Sequence, residues 1–558
     1  MTQSDRLDVV LCWHMHQPEY RVAGRSTEPW TYLHALKDYA DMAAHLEAVP
    51  EAYAVVNFTP ILLRQLDRIG RELNAHVANG ASLSDPLLAA LAATPTDLQA
   101  RGAVVRACLD VNERTMLGRW PAFARIVGLV RAAVEDPTLV SYLSDGCIAD
   151  LCVWFHLAWC GEALRRTDPF VQRLIAAAGD FSARDRQDLL AVIAAEVNAI
   201  IPRYRALAQN GRIELSLTPW GHPILPLLLD LGAGRETLPD APQPQAAAYP
   251  GGAARARWHL DHALAEFATH FTIAPVGCWP SEGAISRATL EMLDEAGFAW
   301  TASGGGVLSN AAVDESPLAR GPDEDCVHTS FALPGARLRC FFRDDGLSDL
   351  IGFAYQSWDA EQAVDDLVAH LENIQRACPA PDAIVPIILD GENAWEHYPE
   401  NGFDFLRALY QRLALHPRLR LTTFADHLAR SRAPPALLRS VKAGSWVYGT
   451  LSTWIGNEPR NRAWDLLVGA KQVWDERREG AAEPERLDEL LGVCEGSDWF
   501  WWLSEHQNAA AVARFESLYR QHLAALYHAL DAPLPDELAH VLGTGDSRAS
   551  AAAMQRAT

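Results

Sequence analysis

Three stretches of this chain end an apolar run abruptly in side chains that can move protons or bind hydroxyl groups. The first is His14-Met15-His16, which follows the run from Val9 to Trp13. In a strand, residues two apart share a face, so both imidazoles point into one mouth. Such a pair serves either as zinc ligands or as hydrogen-bond partners for hydroxyls. The second is Gly277-Cys278-Trp279-Pro280-Ser281-Glu282, where a carboxylate follows an apolar strand and an indole. Glu282 suits a nucleophile or an acid; the plainer reading makes Ser281 and Glu282 the lead-in to a helix starting near Ser286. The third runs from Ile387 through Asp390, Glu392 and Trp395 to Glu396, with three carboxylates in seven residues. Crowding and partial burial raise the pKa of at least one of them, which fits a general acid, against a metal site or a solvated charge cluster.

Glu282 and Asp390 facing each other across one mouth is the sharpest pairing these stretches allow. Carboxyl groups about 5 to 5.5 Å apart would give a retaining glycosidase, and about 6.5 to 9.5 Å an inverting one. The chain has 18 Trp residues. Trp220, Trp279, Trp395, Trp454 and Trp499 follow strands or stand near turns. An indole face there can stack on the C–H face of a sugar ring, while His222, Arg343 and Glu392 reach its hydroxyls. Any one of these tryptophans taken singly reads as core.

These residues need a scaffold that gathers them. Strand-like apolar runs fall at 8–13, 53–58, 213–218, 274–279, 298–302, 338–343, 383–389 and 418–423. Helical patterns lie between many of them, which implies an α/β barrel or a doubly wound sheet. Polar or aromatic clusters close nearly every run, the habit of barrels that collect chemistry at the C-terminal ends of many strands, so a barrel is expected. Residues 61–209 are too long for an ordinary connection and read as a mainly helical insertion, polar around 74–97 and ending in an amphipathic run, 185–209, stopped by Asn210-Gly211. Residues 232–252 read as an exposed loop. After Pro434-Pro435 the periodicity is helical. The expected organisation is a catalytic barrel over 1–435, a C-terminal helical domain over 436–540 and a disordered tail over 541–558.

Composition narrows the class. With 48 basic and 71 acidic residues the net charge is −23, which disfavours a nucleic-acid partner and suits a neutral polymer. The N-terminal stretch has neither a signal-peptide core nor a membrane span, so a cytoplasmic protein without a membrane partner is expected. Ten cysteines without a CxxC pair read as reduced core thiols rather than a disulfide framework or zinc cluster.

Four ordered motifs carry a resemblance that covers most of the chain: His14-Met15-His16-Gln17-Pro18; Gly211-Arg212-Ile213-Glu214-Leu215 with His222-Pro223-Ile224-Leu225-Pro226; Trp279-Pro280-Ser281-Glu282; and Asp390-Gly391-Glu392-Asn393-Ala394-Trp395. In these the chain resembles glycoside hydrolase family 57, of the longer amylopullulanase and α-amylase type. The resemblance implies a distorted TIM-like (β/α)7 barrel followed by a helical domain, and a retaining α-glucan hydrolase or transglycosylase without a cofactor. It also implies Glu282 as nucleophile, Asp390 as acid/base, and His14 and His16 at the reacting sugar. Trp454 and Trp499 lie in segments, 448–456 and 496–502, that are similar to the family too. Seven strands against eight runs leaves one run outside the barrel, with 298–302 and 338–343 the weakest candidates for membership. Two rivals stay open on the residues: a zinc-dependent amidohydrolase or polysaccharide deacetylase built on His14, His16, His222 and Asp390, and a glucan-binding protein without catalysis.

Overall fold

The computed structural model describes residues 6–313, 327–378, 382–504 and 506–546. Its framework is a parallel sheet of β1 (Leu7–Met15), β2 (Ala54–Phe58), β3 (Ile213–Leu217), β4 (Gly277–Cys278), β5 (Trp300–Gly304), β6 (Arg339–Arg343) and β7 (Ile384–Asp390). The order is β7-β1-β2-β3-β4-β5-β6. The ring closes where the Asp344 N–H donates to the Pro386 carbonyl at 2.8 Å, beside an Arg343 Nε bond to the Ile388 carbonyl, also 2.8 Å. The fold is thus a seven-stranded distorted barrel. The eighth run forms β8 (Leu419–Leu421), which pairs only with the start of β1, Leu7 opposite Leu419. The strand outside the barrel is therefore 418–423, not 298–302 or 338–343. β4 is shorter than its apolar run because Pro275 and Pro280 bracket it and only Cys278 pairs with β3, opposite Leu217.

β1 is apolar along its length because both of its faces are covered. Val9, Leu11, Trp13 and Met15 pack outward on the main core. Val10 and Cys12 point inward into a separate cluster with Val55, Trp300, Phe341, Ile388 and Phe424 that fills the barrel. The floor is sealed where Glu214 accepts from Trp300 Nε1 at 2.5 Å and from the Ala425 N–H at 2.9 Å. Inward residues one step higher, His14 and Asn57, stand above this plug, so the same alternation that builds the core delivers polar groups to the mouth.

The helices supply the walls. The insertion after β2 includes α1 (Pro60–Asn79), α2 (Asp145–Trp159) and α3 (Ala183–Gln209). α3 opens on a capping box of Ser182 and Asp185, and Gly211 at φ 67° follows its end. The polar stretch around 74–97 is itself partly helical. After β3 come α4 (Gly252–Phe271) and α5 (Arg287–Glu295), the latter capped by Ser286, and before β7 lies α6 (Ala360–Ala377), capped by Asp359. The C-terminal region contributes α7 (Glu458–Arg477), α8 (Pro484–Cys494) and α9 (Ala509–Ala529). Between Pro435 and α7 the chain has only a two-residue strand, Ala436–Leu437, and an irregular wall, where uniform helix was expected. Of the supposed tail, 541–546 is ordered against α9: Leu542 is buried, and its N–H bonds Glu516. The remainder, 547–558, lies outside the described residues. Among the described residues no helix is long and apolar enough to cross a membrane.

Candidate active site

The C-terminal ends of the strands open into a cleft of about 980 Å³. Strand register places its first residues: His14 is opposite Asp390 on β7 and Asn57 on β2, and Asn57 is opposite Ser216 on β3. A hydrogen-bonded chain starts there. Asn57 Oδ1 lies 2.7 Å from His14 Nδ1, His14 Nε2 is 3.1 Å from His222 Nε2, His222 Nδ1 is 2.8 Å from Ser497 Oγ, and Ser497 Oγ is 3.4 Å from Glu282 Oε1. Burial, then the charge of His16, holds His14 down to about 3, and burial with the neighbouring imidazoles keeps His222 well below the usual histidine range. Both rings are neutral at neutral pH. Their tautomers are linked, because one nitrogen of the pair donates and the other accepts. The single Ser497 hydrogen can turn to His222 or to Glu282.

Glu282 sits on a tight turn, Ser281–Gly283, with its own φ at 59°. Trp446 fixes it twice, the backbone N–H donating to the Glu282 carbonyl at 3.1 Å and the indole Nε1 donating to Glu282 Oε2 at 3.0 Å. Burial raises the Glu282 carboxyl to about 8, and the charge of Asp390 adds to the rise. Asp390 is also raised above ordinary aspartate by burial, against the opposing effects of an Asn393 amide bond at 2.9 Å and of His16 and Arg343. Each shift favours the protonated form of its carboxyl. Glu392 is raised well above its usual value by burial and then by Asp390, although it accepts from the His16 N–H and Gln17 Nε2. Desolvation is thus the main influence on both Glu392 and Asp390, and the crowding foreseen in this segment adds to it at Glu392.

The cleft brings together His14, His16, His222, Glu282, Arg343, Asp390 and Glu392. Arg343 is held by Asp345 and Asp349, each at 2.9 Å. The five expected tryptophan platforms are corrected by the structure: Trp220, Trp279, Trp395, Trp454 and Trp499 are each under 2% exposed. They form the layer behind the cleft, as when Trp395 Nε1 bonds the Gly391 carbonyl and the edge of Trp279 meets Trp446 at 5.2 Å. A strand-end position does not fix which way an indole turns, and its large apolar area favours burial. The tryptophans that line the cleft are instead Trp30, Trp159, Trp446, Trp501 and Trp502. Asn57, at the end of the second apolar run, Trp446, and Ser497 with Asp498 in the 496–502 segment were not among the expected site residues. Alternation with Val55 could have revealed Asn57, whereas Ser497 and Asp498 arrive from a segment with no strand pattern to aim them.

One group of donors, His16, His222 and Asp498, has ligand atoms within 4.8 Å of one another. Each already has a partner: His16 Nε2 bonds Asp498 at 2.8 Å and its Nδ1 bonds Thr59 at 3.1 Å, and both nitrogens of His222 are engaged as above. The cluster is complete as a hydrogen-bonded unit.

A family model described as Glycosyl hydrolase family 57 matches residues 10–438. No curated protein matches the chain. Among solved structures, a branching enzyme from Thermococcus kodakaraensis aligns with a TM-score of 0.57 at 15% identity, over 94% of this chain and 90% of that one. The α-amylase AmyC from Thermotoga maritima aligns with a TM-score of 0.56 at 12% identity, over 96% and 95%. At these identities the likeness is one of fold.

Proposed function

This chain belongs to glycosyl hydrolase family 57, and from that premise we propose that it is a retaining α-glucan hydrolase or transglycosylase acting on α-1,4-glucosidic bonds, with Glu282 as nucleophile and Asp390 as acid/base. The observation that supports it most is that Glu282 and Asp390, both raised above their ordinary values, line one cleft together with histidines and indoles. The solved structures of similar fold include enzymes titled branching enzyme, α-amylase and 4-α-glucanotransferase, which fits an α-glucan substrate, either polysaccharide or maltooligosaccharide.

In this reading Asp390 is protonated and Glu282 ionised when catalysis begins. The indole N–H of Trp446 and the Ser497 hydroxyl donate to Glu282 and favour its anion. Asp390 protonates the leaving glycosidic oxygen while Glu282 attacks the anomeric carbon. Asp390 then takes the proton of the incoming water, or of a sugar hydroxyl, which decides between hydrolysis and transfer. His14 and His16, whose ring nitrogens are engaged, line the subsite of the reacting ring, and Arg343 keeps N–H groups beyond its aspartate bonds for a hydroxyl.

Product chromatography of the wild type and Glu282→Gln proteins on maltoheptaose, and separately on pullulan, tests the proposal. Shorter maltooligosaccharides mark hydrolysis and a ladder above the starting length marks transfer; both vanish in the variant. Proton NMR of the first-formed anomer gives α product for retention. Near-normal activity of Glu282→Gln removes the assignment.

A further inference from the structure

Three non-glycine residues lining the cleft hold left-handed backbone: His222 at φ 59°, Glu282 at φ 59° and Tyr448 at φ 57°. The first two have a place in the chemistry already described. Tyr448 does not, and it is a bulky residue in a conformation that disfavours any side chain. The residue is 57% exposed, so core packing does not explain the strain.

The surroundings are built to keep Tyr448 there. A Cβ on Gly449 would lie 2.7 Å from the Gly306 backbone, and one on Gly444 would lie 2.2 Å from the Gly449 carbonyl oxygen. Ser445 Oγ contacts the carbonyls of Val447 at 3.2 Å and Thr450 at 2.8 Å, and Asn310 Nδ2 donates to that of Gly449 at 2.8 Å. Two residues before the tyrosine, Trp446 is tied to Glu282 through backbone and side chain. The position of the ring is thus indexed to the reacting carboxylate. Backbone strain held by an over-determined shell, in an exposed aromatic residue that lines the cleft, points to a ligand-facing position.

We propose that Tyr448 is a stacking platform for a glucose unit of the bound α-glucan, at a subsite beyond the one where the bond is broken. This rests on the α-glucan reading above and adds a residue that sets how much of a long chain the cleft grips.

Calorimetric binding of maltoheptaose and maltotriose in a Glu282→Gln background tests it. Tyr448→Ala should weaken maltoheptaose by about three- to tenfold, and Tyr448→Phe should bind within about twofold of the parent. Tyr448→Asn should lose the same affinity while its Tm rises by about 1 °C, because Asn tolerates left-handed backbone. Unchanged maltoheptaose affinity in Tyr448→Ala overturns the platform. So does a fall in Tm for Tyr448→Asn, which would give the ring a packing role, or a loss that Phe does not restore. A Glu282→Gln parent that binds neither sugar defeats the α-glucan reading itself, a result distinct from these.

Discussion

Glu282 meets two opposed demands. Burial and the nearby Asp390 push its pKa up to about 8, whereas a nucleophile must be ionised. The Trp446 and Ser497 donors are the local means of reconciling them, since a hydrogen bond to the charged form favours it. Trp446→Phe removes one donor, so the Glu282 pKa rises further and the acid limb of the pH–rate profile moves to higher pH. At pH 6 the rate should fall by about tenfold with the fold intact, which a kcat profile from pH 4 to 9 would reveal. An unmoved acid limb would deny Trp446 this part. On the basic side, loss of the Asp390 proton takes away the general acid, and because burial raises Asp390 the decline in turnover should come at higher pH than for an ordinary aspartate. Replacing the nucleophile, as in Glu282→Gln, should cost about four orders of magnitude or more. His14 and Asp390 were legible in the sequence because each lies at the end of an apolar strand whose alternation aims it; Glu282 and His222 stand a few residues beyond a strand, on turns with positive φ. The tryptophans were not legible, because the features that recommend an indole as a sugar platform also recommend it for the core, and only packing decides.

At the level of elements, position comes from strand register and from close backbone contacts between loops. The β1 ladders set His14 beside both Asp390 and Asn57, and the apolar patterns of these strands are strong enough to be read directly from sequence. Closure of the ring between β6 and β7 was not legible, since pairing between distant strands leaves no local mark; for the same reason the sequence could not tell that 418–423 stays outside. The loop that carries His222 shows how tightly the elements meet. A Cβ on Gly221 would lie 2.4 Å from the Gly492 carbonyl oxygen, next to the bridge between Pro223 and Gly496. Gly221→Ala must therefore part the loop after β3 from the end of α8, moving His222 and Ser497 relative to Glu282. The variant should remain folded with a lowered Tm and lose about a hundredfold in kcat, the scale of a misplacement near 1 Å. Full activity would show that the loop contact does not govern the site.

Across the whole molecule, barrel and C-terminal region share one buried ionic centre. Glu495, just past α8, accepts Arg255 Nη2 at 2.7 Å, His259 Nε2 at 2.8 Å and the Tyr249 hydroxyl at 2.6 Å, and both Arg255 and His259 belong to α4. His259 Nδ1 in turn accepts the Gly221 N–H at 3.2 Å, so this centre supports the loop that carries His222. Burial would raise Glu495, but Arg255 and His259 hold it down to about 2. A lowered carboxylate contributes stability that is present above its ordinary 4.5 and disappears as pH falls toward 2. Glu282 acts in the opposite sense: raised to about 8, it favours the folded state below 4.5 and loses that contribution as pH climbs through 8. Breaking the centre from one side leaves a buried charge alone, so Arg255→Met should cost about 3–5 kcal/mol. Because the bond joins the two parts of the chain, we expect calorimetry to give one unfolding transition for the wild type and a single, lower one for Arg255→Met. Two separate transitions in the wild type would mean that 436–546 folds apart from the barrel, and that Ser497 and Asp498 reach the cleft by docking rather than as part of one cooperative unit.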